Sequence, residues 1–353
     1  MTPGYRVVIA ALADEPLQAI AQATLEPMPP PEVATLAPRD VVIAVRSAAV
    51  GWVDLLMTSG QYQHRAKPPY TPGLEYAGVV AWLGAEVTGL ALGDRVVVDP
   101  FLAGPRSLGA YQASGGFASY AVAPAEAVHP IPGALTFDQA ACLLGNYETA
   151  YHCLVTRGRL QPGETVLIHG ASGSTGLAAV HLAKLLGATV IATGRSSAKL
   201  AVVLAQGADH VIAGPFRDQV KALTGGRGVD VVYDGVGGDV SLESLRCVKF
   251  GARFLVVGWA ATPFVAKTTA NVLPTNLVMM KGLDVLGCPT VISTVHDPSL
   301  RAPRLAQILA WAAEGKLVPY VSHRFPLAEF AEAMRLKWQG DVIGGCVLAP
   351  APA

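Results

Sequence analysis

Apolar residues in the first third of the chain fall in short β-branched runs punctuated by glycine and proline. Residues 7–13, 41–45, 78–83 and 95–99 read as strands, the last entered through the tight turn Leu92-Gly93-Asp94. Four prolines between Pro27 and Pro31 cannot extend a sheet, so this stretch is expected to cross the surface as a spacer. Beyond Pro132 the texture changes. Strands are predicted at 165–169, 189–192, 210–212, 229–233 and 253–257, with helices at 177–186, 198–206, 216–223 and 240–248. Such alternation requires right-handed crossovers and a parallel sheet covered on both faces, a doubly wound α/β fold. Residues 283–287 are expected to add an edge strand and 303–313 a helix, whereas 262–280 show no clear pattern. A helix and strand within 325–348 are expected to return to the first domain.

The first strand of the alternating half runs into Gly170-Ala171-Ser172-Gly173-Ser174-Thr175-Gly176 and then directly into a helix. A pyrophosphate needs backbone N–H groups at close range, which residues without bulky side chains permit at a helix N-terminus, where the dipole favours negative charge. A dinucleotide is the expected ligand. The spacing is G-x-x-G-x-x-G and not the stricter G-x-G-x-x-G, so the weight lies on its position between strand and helix. An NAD site places an acid at the end of the second strand, about 20 residues on. Here Gly194-Arg195-Ser196-Ser197-Ala198-Lys199 stands instead, offering two cations and hydroxyls to a 2′-phosphate. The expected cofactor is therefore NADPH, with Gly194, Arg195, Ser196 and Lys199 at its phosphorylated ribose.

With 353 residues, at roughly 150 per domain, the chain has room for two domains. Hydrophobic residues make up 52% and charged residues 15%, which argues against disorder and a coiled coil. Lysine plus arginine (26) equals aspartate plus glutamate (26), leaving no overall field for nucleic acid or anionic lipid, and no basic stripe interleaved with aromatics appears. Cys142, Cys153, Cys247, Cys288 and Cys346 are odd in number and scattered in apolar runs, which fits a reducing cytoplasm better than a disulfide framework. No run of about 18 apolar residues is present to cross a bilayer. Residues 7–13 are too short, with too little charge ahead of them, for a secretory leader and read as the first strand.

The loop and its neighbours resemble the medium-chain dehydrogenase/reductase superfamily, and within it the zinc-free quinone oxidoreductase and enoyl reductase branch. The resemblance covers nearly the whole chain. It rests on Gly60-Gln61-Tyr62, Pro72-Gly73-Leu74-Glu75-Tyr76-Ala77-Gly78, Gly93-Asp94-Arg95-Val96, Gly116-Phe117-Ala118-Ser119-Tyr120, Asn146-Tyr147-Glu148-Thr149-Ala150-Tyr151-His152, the glycine loop, Gly228-Val229-Asp230-Val231-Val232-Tyr233-Asp234 and Gly251-Ala252-Arg253. It implies a GroES-like β-rich catalytic domain, expected over 1–127 and 315–353, and an inserted Rossmann-type NADPH domain over 128–314, with the active site in the cleft between them. A homodimer formed through the 283–287 edge is also implied. Zinc-dependent members hold the metal with a Cys and a His at the positions of Gly51 and Leu74, neither of which can bind one, and the four-cysteine structural zinc lobe has no counterpart in 100–116. No metal is expected.

Without a Lewis acid to stabilise an alkoxide, the acceptor should be activated already: a quinone or a conjugated C=C (enone or enoyl) group that takes hydride at carbon. The resemblance places Tyr62 where related enoyl reductases carry a proposed proton donor, with water as the alternative source. Trp52 is expected to line the substrate slot beside Tyr62. Asp54, an orphan of the metal motif, is either a substrate contact or, more in keeping with such carboxylates, a loop anchor. Asn146 and Thr149 are placed at the nicotinamide side, and Gly235, Val236, Gly258, Trp259 and Ala260 where backbone passes the cofactor. His64, His152 and His169 have no metal-spaced partners and are read as solvated or satisfied side chains. Two departures from relatives stand out: no tyrosine follows the third strand of the inserted domain, where Ala213-Gly214-Pro215-Phe216 is found, and no basic residue follows Gly344-Gly345 in the last strand. An enoyl-thioester reductase and a non-catalytic NADPH-binding protein remain as alternatives to quinone reduction.

Overall fold

The computed structural model describes residues 1–107, 109–258 and 272–350. The chain divides into two compact units, Met1–Gly145 with Ala310–Ala353, and Asn146–Leu309.

The first unit opens with β1 (Gly4–Val8) and α1 (Pro16–Gln22), followed by β2 (Thr24–Met28), which pairs antiparallel with β1. The first strand thus lies earlier than residues 7–13: past Ile9 the chain leaves the ladder, and Pro16 opens a helix. Pro27 also departs from expectation, since it lies within β2 opposite Tyr5. In a two-stranded ribbon each strand keeps an outer edge, where a missing N–H removes no ladder bond. The main sheet is built on β3 (Asp40–Ala49), which leads into α2 (Trp52–Thr58) and pairs antiparallel with β4 (Glu75–Leu83). Outward from β4 come β5 (Arg95–Val98), then, across β6 (Tyr120–Pro124) in sequence, β7 (Val128–Pro130), while β6 itself returns to β3. Thr136 then caps α3 (Phe137–Ala141), exchanging hydrogen bonds with Gln139.

Across the start of the second unit runs α4 (Leu144–Tyr151), continuing into a π turn at His152–Arg157. The alternation follows as β8 (Thr165–Ile168), α5 (Ser174–Leu185), β9 (Thr189–Gly194), α6 (Ser197–Ala205), β10 (His210–Ala213), α7 (Arg217–Leu223), β11 (Val229–Asp234), α8 (Asp239–Ser244) and β12 (Val248–Val256). Beyond these lie α9 (Thr275–Met280), β13 (Asp284–Gly287), α10 (Thr290–His296) and α11 (Arg301–Ala313). The sheet is parallel throughout, in the order β10-β9-β8-β11-β12-β13. The chain winds one way from β8 to β10 and the other way from β11 to β13, so the switch point of this doubly wound sheet falls at the carboxyl end of β8, where such sheets bind ligands. Two expectations are corrected. The helix read at 240–248 ends at Ser244, and Val248 already belongs to β12, whose register slips after Val248 where Gly251 at φ +72° lets the strand bulge. Part of the patternless 262–280 stretch is helical, as α9.

The chain then returns to the first unit as β14 (Val321–Pro326), α12 (Phe330–Gln339) and β15 (Gly345–Ala349), the last pairing with both β14 and β3. Gly340, left-handed at φ +77°, stops α12. Each unit has its own core, one around Ile43, Tyr76, Phe117 and Leu348, the other around Leu167, Ile191, Val232 and Phe254. All five cysteines are buried, and none forms a disulfide. Among the described residues no helix is long and apolar enough to cross a membrane.

Candidate active site and nucleotide loop

The glycine loop leaves β8 at the switch point. Gly170 adopts φ +61°, a conformation that disfavours side chains, and its carbonyl accepts the Gly173 N–H at 2.9 Å. A Cβ on Gly176 would lie 2.3 Å from the Gly170 oxygen, so the first turn of α5 can press against the loop only without a side chain there. Ala171 is tied across to β9 by its N–H to Thr193 O at 3.2 Å. Ser172, Gly173 and Ser174 form the crest at the helix start, and Thr175 donates its hydroxyl to Asn146 Oδ1 at 3.4 Å, bringing that expected residue to the loop. Thr149 lies one helical turn further along α4.

At the end of β9, Gly194 leads to Arg195, which is exposed and forms no ion pair or hydrogen bond among the described residues. Ser196 caps α6, its hydroxyl accepting the Lys199 N–H at 3.4 Å, and no acid occupies the first turn of that helix. Asp234, at the end of β11, accepts the Val236 and Gly237 N–H groups at 2.9 and 3.0 Å and the Ser241 hydroxyl. Its carbonyl accepts from Val257 and Gly258 at 2.9 and 3.3 Å, which joins the Gly235–Val236 turn to the Gly258 segment. Trp259 and Ala260 lie outside the described residues. His169 is satisfied on both sides, Nδ1 with the Thr193 hydroxyl at 2.7 Å and Nε2 with that of Ser244 at 2.6 Å, and burial lowers its pKa to about 4. His152 is different: burial likewise lowers it to about 4, but its Nδ1 is buried without a partner among the described residues.

In the first unit, Asp54 occupies the first turn of α2 and is 2% exposed. Its Oδ2 accepts the Gly51 N–H at 2.9 Å, and Oδ1 accepts those of Gly73 and Leu74 at 3.0 and 3.1 Å. These bonds tie the start of α2 to the Gly73-Leu74 turn, the geometry of a loop anchor. Burial nevertheless outweighs the backbone donors and the Arg106 charge, and the carboxyl is pushed up to about 6. Trp52 stacks on Trp338 with ring centroids 4.9 Å apart. Tyr62 packs against Ile9, Met57, Ala66, Tyr70 and Leu74, its ring 5.8 Å from that of His64, and its hydroxyl makes no hydrogen bond among the described residues. Leu74 therefore fills an apolar cluster where zinc-dependent relatives carry a ligand.

Two features were not read from the sequence. Lys337, buried on α12, donates Nζ to Gly344 O at 3.4 Å, so a cation does reach the last strand, from a helix and not from the strand itself. Glu148 is fully buried and holds Arg301 through Oε1 at 2.8 Å and Arg304 through Oε2 at 2.8 Å. Both connections join residues far apart in the chain, and no local spacing signals them.

The family models described as "Alcohol dehydrogenase GroES-like domain" and "Zinc-binding dehydrogenase" match residues 37–133 and 174–298. The chain is 35% identical over 313 residues to "Quinone oxidoreductase-like protein 2 homolog" of Nematostella vectensis, covering 87% of this chain and 81% of that protein. Among solved structures, a probable oxidoreductase from Mycobacterium abscessus superposes with a TM-score of 0.81 at 30% identity, covering 99% of both chains. Escherichia coli quinone oxidoreductase, solved in complex with NADPH, shares the fold with a TM-score of 0.79 at 24% identity, covering 98% of this chain and 100% of that one. A GroES-like unit and a doubly wound unit in one chain, with Gly51 and Leu74 at the metal positions, agree with these likenesses: the chain belongs to the medium-chain dehydrogenase/reductase superfamily, in its zinc-free quinone oxidoreductase branch, and is an oxidoreductase.

Proposed function

We propose that the protein is an NADPH-dependent reductase of quinones or conjugated C=C acceptors that works without a metal ion. The observation that carries the cofactor choice is the end of β9, where an exposed Arg195, unpaired among the described residues, precedes an α6 whose first turn has no acid. A carboxylate there would repel a 2′-phosphate, whereas this guanidinium and the α6 N-terminus attract it. The Gly170–Gly176 cradle, which a Cβ at Gly176 would fill, takes the pyrophosphate. Asn146 and Thr149 face the nicotinamide end, and the Asp234-organised turn Gly235–Val236, with Gly258, gives the cofactor backbone to lie against. When bound, NADPH supplies a hydride to an electron-poor carbon of the acceptor.

The residues suited to the acceptor belong to the first unit. Tyr62, half-buried on an apolar cluster with an unengaged hydroxyl, donates a proton to the carbon or oxygen that becomes basic once hydride has arrived. Trp52, stiffened by its stack on Trp338, offers a flat apolar wall suited to a conjugated ring or chain. Asp54 holds the Gly73-Leu74 turn in place through backbone N–H groups. Strand β13, whose outer edge has no neighbouring strand among the described residues and whose Val285 is 40% exposed, is the surface through which two copies pair.

The test is NADPH oxidation over 1,4-quinones, enones and crotonyl-type thioesters, with wild type and Tyr62→Phe. Turnover of quinones alone assigns the quinone branch, and turnover of thioesters alone the enoyl branch. A roughly 10²-fold loss on enones in Tyr62→Phe supports the proton donor, and full retention on every acceptor removes it. Tight NADPH binding with no turnover on any acceptor refutes the reductase reading.

A further inference from the structure

Among the described residues, several buried side-chain atoms of the first unit, Ser47 Oγ and Tyr76 Oη included, have no hydrogen-bond partner, and Tyr70 Oη, His64 Nε2 and Arg106 Nη2 are among them. Buried polar groups are nearly always paired, and an unpaired guanidinium N–H is the most costly kind to leave so. The three lie in one neighbourhood. Tyr70 belongs to the cluster on which Tyr62 packs, and the His64 ring stands beside that of Tyr62. Arg106 comes from the short turn Pro105–Ser107, and Gly104 just before it lies over Gly73 and Leu74, where a Cβ would meet their carbonyl oxygens at 3.7 and 3.9 Å.

The guanidinium is held in place. Its Nε donates to Pro100 O at 3.3 Å, and its carbon lies 4.5 Å from the centre of the Phe101 ring. Its charge lowers the pKa values of both His64 and Asp54, after burial in the former case and against it in the latter. Asp54 acts on it only through its charge and makes no hydrogen bond to it, because the oxygens of that carboxylate accept from the backbone of Gly51, Gly73 and Leu74. Burial keeps the Tyr70 phenol protonated and His64 neutral, so both can donate. A cation and two neutral donors with no acceptor of their own call for a group that only accepts and carries negative charge.

We infer that Arg106, Tyr70 and His64 form a recognition site for a carboxylate, and that the acceptor reduced beside Tyr62 is an organic acid bearing a quinone or conjugated C=C group. The inference rests on the reductase reading for its second half only. Arg106 is planar and forked, which suits a carboxylate better than a single carbonyl oxygen.

Two measurements separate the carboxylate site from the reductase reading. Titration calorimetry of the full-length protein in the presence of NADP⁺ uses 2-naphthoate as probe and 2-naphthamide as its neutral control. Kinetics with NADPH compares 1,4-naphthoquinone-2-carboxylate with 1,4-naphthoquinone. In Arg106→Met, naphthoate affinity and the kcat/KM preference for the carboxylate should each fall about 10- to 100-fold, the range of a hydrogen-bonded charge. Tyr70→Phe should lower naphthoate affinity several-fold, and Arg106→Lys, which keeps the cation if the methionine variant does not fold, should fall in between. Equal naphthoate binding by wild type, Arg106→Lys and Tyr70→Phe overturns the site. Arg106-dependent naphthoate binding with no reduction of either quinone upholds the site and refutes the reductase reading.

Discussion

Replacing Asp54 by asparagine perturbs one buried charge while keeping its shape. In the native protein the carboxyl titrates near 6, against an ordinary value of 3.8, because burial outweighs the three backbone donors and Arg106. The native value lies above the unfolded one, so the unfolded chain releases this proton first as pH rises. The stability contributed by the protonated group is complete below about pH 3.8 and is lost as pH climbs through about 6. At roughly 1.36 kcal/mol per pH unit, the loss is about 3 kcal/mol. Asparagine cannot ionise and escapes it. Its amide, however, would turn a donor toward the Gly51 N–H while Oδ1 keeps Gly73 and Leu74, leaving one buried donor unpaired at a cost of about 1–3 kcal/mol at every pH. Asp54→Asn should therefore be the less stable protein near pH 4, and the gap should close or reverse by about pH 8. Urea unfolding followed by tryptophan emission reads this directly, since Trp52, Trp82, Trp311 and Trp338 all belong to the first unit. A gap that stays constant, or widens toward alkaline pH, refutes the assignment of a strained buried carboxylate.

Other perturbations address the second unit. Gly176→Ala places a methyl group 2.3 Å from the Gly170 oxygen, so the glycine loop must shift; binding of NADPH measured by nicotinamide fluorescence should weaken at least tenfold, with a stability loss of about 1–3 kcal/mol. Glu148→Gln removes the counter-charge of Arg301 and Arg304, both buried, and should cost about 3–5 kcal/mol in thermal or urea unfolding; a loss below about 1 kcal/mol would mean that water reaches the two guanidinium groups. Arg195→Asp should lower the preference for NADPH over NADH at least tenfold in kcat/KM. An unchanged ratio in that variant would place the 2′-phosphate elsewhere.

Much of the doubly wound unit is local in origin, and local signals can be read from sequence. Strand and helix periods differ, and the turn from β8 into α5 announces itself by glycines at fixed offsets between a strand and a helix. The same locality placed Arg195, Ser196 and Lys199 between the end of β9 and the first turn of α6. Errors arose where tertiary context overruled a local rule. Pro27 sits in a strand because its ribbon has an outer edge, and Val248 leaves a helical pattern because β11 needs a neighbour.

By itself the sequence determined the doubly wound class of the second unit and its glycine loop, since each depends on residues near one another in the chain. Only the tertiary structure decided what Asp54 does, by delivering the Gly73 and Leu74 N–H groups to it from 19 and 20 residues away. Only it brought Glu148 to Arg301 and Arg304, across 153 and 156 positions, and left Arg106 Nη2, Tyr70 Oη and His64 Nε2 buried without a partner among the described residues. Burial is the physical reason: it makes these charges and donors consequential, and it is a property of the packed chain that no window of neighbouring residues contains.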